Sequence, residues 1–233
     1  MNAIDLYGLE SVDFEGKLDN TISILQSSNE IYPGKIIQAS SLSSEDMIIT
    51  DICYRHKLPI PVGIIDTGRL HLSTVKLIDI IRKKYNLEIK IYYPDPDDIS
   101  EFITKYGANS IYDSVDLRKL CCTIRKVKPL ASMLENKDAW ITGLRRGQSN
   151  NRENISFVEK NNKIKINPLA DWSLQDVWFY IKKYNVPYNV LHDYFYISIG
   201  CDPCTRPIAP NEDIRNGRWW WENRSTKECG LHK

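Results

Sequence analysis

Short apolar runs alternate with amphipathic stretches along most of this chain, and that alternation constrains the fold more than any other feature. Residues 35–39, Lys-Ile-Ile-Gln-Ala, read as a buried strand that runs into Ser40-Ser41-Leu42-Ser43-Ser44. Glu45 and Asp46 then open a helix to about His56, their charge suited to the positive end of a helix dipole. Residues 61–65 predict a second strand, ending at Asp66-Thr67-Gly68, and residues 72–85 a helix. A third strand is expected over 87–92, with a helix after Pro96. Residues 138–142 and 163–167 predict two more strands. A helix over 173–183 takes Ser173 as its cap, with Asp176 at its third position. Ahead of them all, 13–26 carries Phe14, Leu18, Ile22 and Leu25 at helical spacing. The expected class is α/β, with a mostly parallel sheet and helices on both faces. There is no internal repeat.

A chain of 233 residues can bury a substantial core. We expect an α/β domain over 1–205 and a tail over 206–233, where Pro, Gly, Arg and Trp concentrate. The net charge of +1 argues against a general nucleic-acid binder. The arginines are uneven, however: Arg145, Arg146 and Arg152 cluster, as do Arg215, Arg218 and Arg224. Such crowding suits a small polyanionic ligand. No apolar run is long enough to cross a membrane. Residues 1–10 lack the pattern of a secretory signal, so a cytoplasmic location is expected. Thiols there stay reduced, and clustered cysteines point to metal or redox chemistry. A homo-oligomer is compatible with the sequence.

In a sheet of this kind ligands bind beyond the carboxyl ends of the strands. Three loops fall there: residues 40–44, Asp66-Thr67-Gly68, and the run 143–149 that holds the paired arginines. The serine loop leads into a helix N-terminus, where free N–H groups and the dipole favour an anion. Each loop alone reads equally well as a capped turn or a solvated surface. The weight lies in all three standing at strand ends of one sheet.

Six cysteines divide by pattern. Cys201-x-x-Cys204 has the spacing of a ligand half-site for zinc or iron–sulfur, or of a redox dithiol. Cys121 and Cys122 are adjacent, and neighbours on an ideal helix point about 100° apart. They can ligate one centre only if the backbone bends or the centre is broad, which favours an iron–sulfur cubane over a single zinc. Cys53 lies inside a helix and reads as an inert core thiol. Cys229, four residues from the end, reads as a nucleophile on a movable arm, or as a plain terminal thiol. Cationic neighbours such as Arg215 and Arg218 would raise its thiolate fraction. Trp219-Trp220-Trp221 suits an anchor for the base of that arm.

Four stretches carry a resemblance to a known family: Cys121-Cys122-Thr123-Ile124-Arg125-Lys126-Val127-Lys128-Pro129-Leu130, Thr142-Gly143-Leu144-Arg145-Arg146-Gly147-Gln148-Ser149, Cys201-Asp202-Pro203-Cys204-Thr205 and Glu228-Cys229-Gly230-Leu231-His232. From about residue 35 to the end the chain resembles assimilatory adenylylsulfate (APS) reductases, the cluster-bearing branch of the phosphoadenylylsulfate (PAPS) reductase family. The resemblance implies a fold like that of the ATP pyrophosphatases (the adenine nucleotide alpha hydrolase type) with a C-terminal catalytic tail. It implies a 4Fe-4S cluster on Cys121, Cys122, Cys201 and Cys204. It implies reduction of APS to sulfite and AMP through an S-sulfocysteine on Cys229, resolved by thioredoxin or glutaredoxin, in sulfate assimilation and cysteine biosynthesis. Lys126 is then expected between cluster and substrate. Ser40 and Ser41 match phosphate-loop serines; Asp66, Thr67 and Gly68 match the adenosine stretch. Arg146, Arg215, Arg218 and His232 match the remaining substrate-binding positions. One departure stands out. This chain reads Ser43-Ser44 where relatives commonly carry Gly-Ala before Glu-Asp, and a lost glycine restricts backbone freedom.

Three rival readings remain open. A relative that accepts PAPS differs only in nucleotide. A cluster-bearing tRNA-thiolating ATP pyrophosphatase would need a Ser-Gly-Gly-x-Asp-Ser loop, and residues 40–44 contain no glycine. A redox-sensing metal module accounts for four thiols but not for the terminal Glu-Cys-Gly-Leu-His.

Overall fold

Apolar residues two apart along the inner strands share a face, and helices cover both faces. The computed structural model describes residues 2–9, 11–149, 152–209, 212–223 and 227. Six strands form one sheet: β1 (Ile36–Ser40), β2 (Val62–Ile65), β3 (Ile89–Tyr92), β4 (Ala139–Ile141), β5 (Val158–Lys160) and β6 (Ile164–Ile166). Their order is β3-β2-β1-β4-β6-β5. All neighbours run parallel except β5, which pairs antiparallel with β6 at the edge. Ile36, Val62, Ile64, Ala139, Ile141 and Ile166 join the larger core on one face. Ile37 and Trp140, their neighbours in sequence, join a smaller core on the other. That is the period-two alternation of a pleated strand.

Helices α2 (Phe14–Ile31), α3 (Ser44–Arg55), α4 (Leu72–Tyr85) and α8 (Leu174–Tyr184) supply the large core, and α7 (Lys128–Leu134) covers the opposite face. Gly63 lets α7 approach: a Cβ there would stand 2.8 Å from the Met133 sulfur. The other helices are α1 (Ala3–Tyr7), α5 (Pro96–Tyr106) and α6 (Val115–Cys122).

The α/β class and the parallel sheet with two-sided helical cover match the expectation. Several boundaries differ. Helix α2 runs five residues past Gln26, through Ser27, Ser28 and Asn29. Ser28 avoids competing with the helix by donating its hydroxyl to the Ile24 carbonyl at 2.6 Å. Strand β5 was not expected; it forms a hairpin with β6, pinned by the Lys165–Glu159 ion pair at 2.6 Å. Residues 212–223 return to the body of the molecule. Thr205 pairs with Arg218, and the Trp219 N–H donates to the Cys204 carbonyl at 3.2 Å.

Candidate active site

The chain leaves β1 for β2 and β3 on one side, then returns to place β4 on the other side of β1. Loops after β1 and β4 therefore diverge, and a crevice opens at that switch point. A cleft of about 220 Å³ lies there. Its lining includes Ser40, Ser41, Thr67, Lys126, Cys201, Arg215 and Arg218, so seven of the site residues expected from the sequence meet in one place. Ile65, Leu130, Met133 and Trp140 make part of its wall apolar.

The serine loop is held from below by two buried carboxylates. Ser41 donates its N–H and its hydroxyl to Asp46, both at 2.7 Å, and Ser43 donates its hydroxyl at 3.1 Å. Ser43 also caps α3, accepting from the Asp46 N–H. Its φ of −68° is ordinary, so the glycine expected at 43 is not needed there. The strained backbone is one residue earlier: Leu42 sits at φ 62°, and its N–H donates to the Ser40 hydroxyl at 3.2 Å.

Burial pushes the Asp46 carboxyl up; the Ser41 bonds pull it back, the Glu45 charge adds to the rise, and it settles at about 6. Glu45 goes the other way. Burial alone would raise it, but the Arg145 guanidinium and the Gln148 amide outweigh that and hold it at about 2. Arg145 donates to Glu45 at 2.8 Å and to the Trp172 carbonyl at 3.1 Å. Gln148 donates to Glu45 at 3.0 Å, and Arg152 donates to Gln148 at 2.6 Å.

Arg146 is a correction. It donates to the Ile155 carbonyl at 2.9 Å and lies over the Phe157 ring at 5.3 Å. The cleft is lined instead by Arg145, Gln148 and Arg152. Arg145 is extended and Arg146 opens a 3-10 turn, so the two side chains part, and the sequence does not say which faces in. Asp66 and Gly68 also stand outside the lining. Asp66 accepts the Gly68 N–H at 2.9 Å, and Gly68 takes φ 67°, so these two build the turn that presents Thr67. Cys229 and His232 lie outside the described residues. Glu45 and Asp46 are cleft residues that the sequence reading took only as a helix start; Arg145, Gln148 and Arg152 it placed only within a basic loop and cluster, and Trp219 only within an anchoring run.

The thiols form a second centre against this cleft. Cys121, Cys122, Cys201 and Cys204 are all buried, pack in one cluster with Trp219, and line one small cavity. The adjacent pair is re-aimed by a backbone change. After α6 comes a π-helical turn, Thr123–Val127, closed by the Lys128 N–H donating to the Thr123 carbonyl. Pro129 explains it: a proline cannot donate to the Arg125 carbonyl four residues back, and its ring displaces that carbonyl. Opposite, Cys201–Cys204 makes a tight turn that leans on the loop after β2. The Thr67 hydroxyl and the Cys201 sulfur are 3.3 Å apart, and Arg125 donates to the Thr67 carbonyl at 2.7 Å.

Burial opposes ionisation of Cys201, yet Lys126, the Thr67 hydroxyl, Arg218 and Arg125 together hold its thiol below the usual range. Burial pushes Cys204 up to about 12, with Cys201 adding to the rise. No group of three or more His, Cys, Asp or Glu side chains among the described residues is arranged to hold a single metal ion.

Lys126, Cys201 and Trp219 line both cavities, so one wall serves both. The guanidinium groups of Arg118 and Arg218 lie 4.7 and 4.6 Å from the Trp219 ring centre. Arg118 is fully buried and meets Glu222 at 2.6 and 2.8 Å, which ties the C-terminal segment to α6. Arg218 Nε is buried and finds no acceptor among the described residues.

The phosphoadenosine phosphosulfate reductase domain matches residues 35–207. The adenosine 5'-phosphosulfate reductase of Allochromatium vinosum is 49% identical over 201 residues, covering 85% of this chain and 78% of its own. That of Sinorhizobium fredii is 44% identical over 227 residues, covering 96% and 87%. Among solved structures, the phosphoadenylyl-sulfate reductase of Candida auris in its phosphate complex superposes with a TM-score of 0.66 at 28% identity, over 78% of this chain and 88% of that one. An FMN adenylyltransferase of Candida glabrata with ATP gives 0.60 at 15% identity, over 97% and 80%, a likeness of fold. No helix among the described residues is long and apolar enough to cross a membrane.

Proposed function

Since this chain belongs to the phosphoadenosine phosphosulfate reductase family, we propose that it reduces adenosine 5'-phosphosulfate to sulfite and AMP. The observation that carries the proposal is the shared wall. A cleft with serine hydroxyls and cations at a strand switch point stands directly against four buried thiols. The relatives named above as adenosine 5'-phosphosulfate reductases support APS as the nucleotide.

The apolar wall of Ile65, Leu130, Met133 and Trp140 suits the base. Ser40, Ser41, Lys126, Arg215 and Arg218 suit the phosphosulfate. The nucleophile is the Cys229 thiolate. It forms an S–S bond to the sulfate sulfur while the S–O bond to phosphate breaks and AMP leaves. An anion attacking a dianion needs cations around it, and they also stabilise the leaving phosphate. A dithiol protein of the thioredoxin or glutaredoxin type then attacks the Cys229 sulfur. Sulfite departs, a mixed disulfide forms, and the second thiol of the donor closes its own disulfide and frees Cys229. The donor thereby supplies both electrons. Arg215 donates to the Lys227 carbonyl at 2.7 Å, which ties the chain to the cleft two residues before Cys229. Two residues of chain span at most about 7 Å.

The four thiols fit an iron–sulfur cluster better than one zinc. They are buried around one cavity, ringed by Arg118, Arg125 and Lys126, and an adjacent pair of thiols suits a broad centre. We assign Cys121, Cys122, Cys201 and Cys204 as ligands of a 4Fe-4S cluster. When bound, it contributes charge and rigidity beside the cleft; the dithiol alone suffices for the two-electron step.

The test is sulfite release with thioredoxin, with APS and PAPS run side by side. The proposal expects turnover of APS. Sulfite from PAPS alone would shift the substrate to the phosphorylated nucleotide; sulfite from neither would sink the proposal.

A further inference from the structure

His71 stands where the nucleotide-facing loop meets the thiol loop. The loop after β2 carries Thr67 on the cleft side and ends at His71, which begins α4. The thiol loop touches it repeatedly. Leu70 and Cys201 form an antiparallel bridge, the Asp202 N–H donates to the Arg69 carbonyl at 2.8 Å, and Thr67 meets the Cys201 sulfur. His71 Nδ1 reaches the Asp202 carboxylate at 2.8 Å.

We infer that His71 is a positioning residue that holds the Cys201–Cys204 loop in register with the nucleotide cleft through Asp202. His71 occupies an N-cap position but makes no side-chain cap to its own helix. Serine, threonine, aspartate or asparagine is the usual choice there, because each satisfies a free N–H. The side chain is spent on Asp202 instead. The histidine side chain is 9% exposed and its partner 68% exposed, so the contact is not two mobile surface chains meeting in water. The Asp202 backbone is already fixed by its bond to Arg69, and Tyr196 packs edge-on against the imidazole at 5.5 Å. Little freedom is left to lose when the bond forms. A carboxylate only accepts, so Nδ1 carries the proton. Nε2 is buried and has no partner among the described residues, leaving Nδ1 as the atom that acts.

The geometry makes the two loops one mechanical unit. A shift of Thr67 on nucleotide binding is transmitted to Cys201 both directly and through the His71–Asp202 bond.

The test follows site-resolved alkylation of the as-purified protein under anaerobic conditions, read by mass spectrometry at each cysteine. His71→Ala and Asp202→Ala are expected to speed modification of Cys201 and Cys204 about tenfold, the value of a hydrogen bond to a charged group. Cys53, buried in α3, serves as the fold control and keeps its rate. His71→Asn places an amide N–H near the Nδ1 position and restores the wild-type rate; His71→Gln, with its donor further out, does not. Unchanged rates at Cys201 and Cys204 in His71→Ala, or an equal rise at Cys53, overturn the inference. The choice of Cys201 and Cys204 as the loop's functional groups rests on the proposed function, but the two fail separately. Wild-type protein without iron and acid-labile sulfide ends the cluster assignment and leaves the alkylation comparison standing.

Discussion

Asp46 sits under the serine loop with three donors turned toward it. Its raised pKa has a definite consequence. The folded protein keeps that proton up to about pH 6, whereas the unfolded chain loses it near pH 4. Stability therefore falls as pH rises between those values, and the full penalty is present above them. Glu45, held low by Arg145, contributes with the opposite sign: its stabilisation is present above the unfolded pKa and is lost as pH falls toward 2. Asp46→Asn keeps an acceptor for Ser41 and removes the charge. Its melting temperature is expected to exceed wild type by a margin that widens from pH 5 to 7.5, reaching about 1–3 kcal/mol in stability. A margin that stays flat or shrinks would contradict this sign. At this scale the strand-end loops pointed to Ser40, Ser41 and Thr67, while Lys126, Arg215 and Arg218 came from the family resemblance; all six line the cleft. The sequence reading chose Arg146 over Arg145, because which of two neighbours turns inward depends on the partners waiting there. Arg145 finds Glu45 and the Trp172 carbonyl, and both lie far away in sequence.

The π turn between α6 and α7 shows how one residue reshapes an element. Leu117, Leu120, Cys121 and Ile124 have helical spacing, yet the sequence reading placed no element over 115–134, and Pro129 interrupts the pattern. The chain instead absorbs the proline with one wide turn and continues as helix. Pro129→Ala restores a donor for the Arg125 carbonyl. It is expected to convert the turn to α-helix, rotate Cys121 and Cys122 relative to Cys201–Cys204, and lower the iron and sulfide retained per chain at least several-fold. Metal analysis of matched preparations decides; full retention would detach the turn from the thiol site. Strand β5 escaped notice for a simpler reason. It is three residues long, mostly exposed, and lies at the edge, and its one cue is Asn161-Asn162 between two short runs.

Across the whole molecule, the strand order decides where chemistry can occur. Parallel pairing around β1 opens the crevice between β1 and β4. The crossover through α6 and α7 delivers two thiols to its side, and the chain after β6 delivers two more before Arg215, Arg218 and Trp219 close the wall. The alternation of strands and helices was legible from apolar periodicity. The cysteine pattern suggested one four-thiol site, and the family resemblance strengthened it; about eighty residues separate the pairs, so the packing that brings them together is not encoded locally. The central claim is that the cleft serves a thiolate on the C-terminal arm. Its most direct test is the intact mass of the protein after incubation with APS and no reductant. The account predicts a gain of one sulfonate on the wild-type chain, mapped to Cys229 and absent from Cys229→Ser. An adduct of equal yield on Cys229→Ser would contradict it.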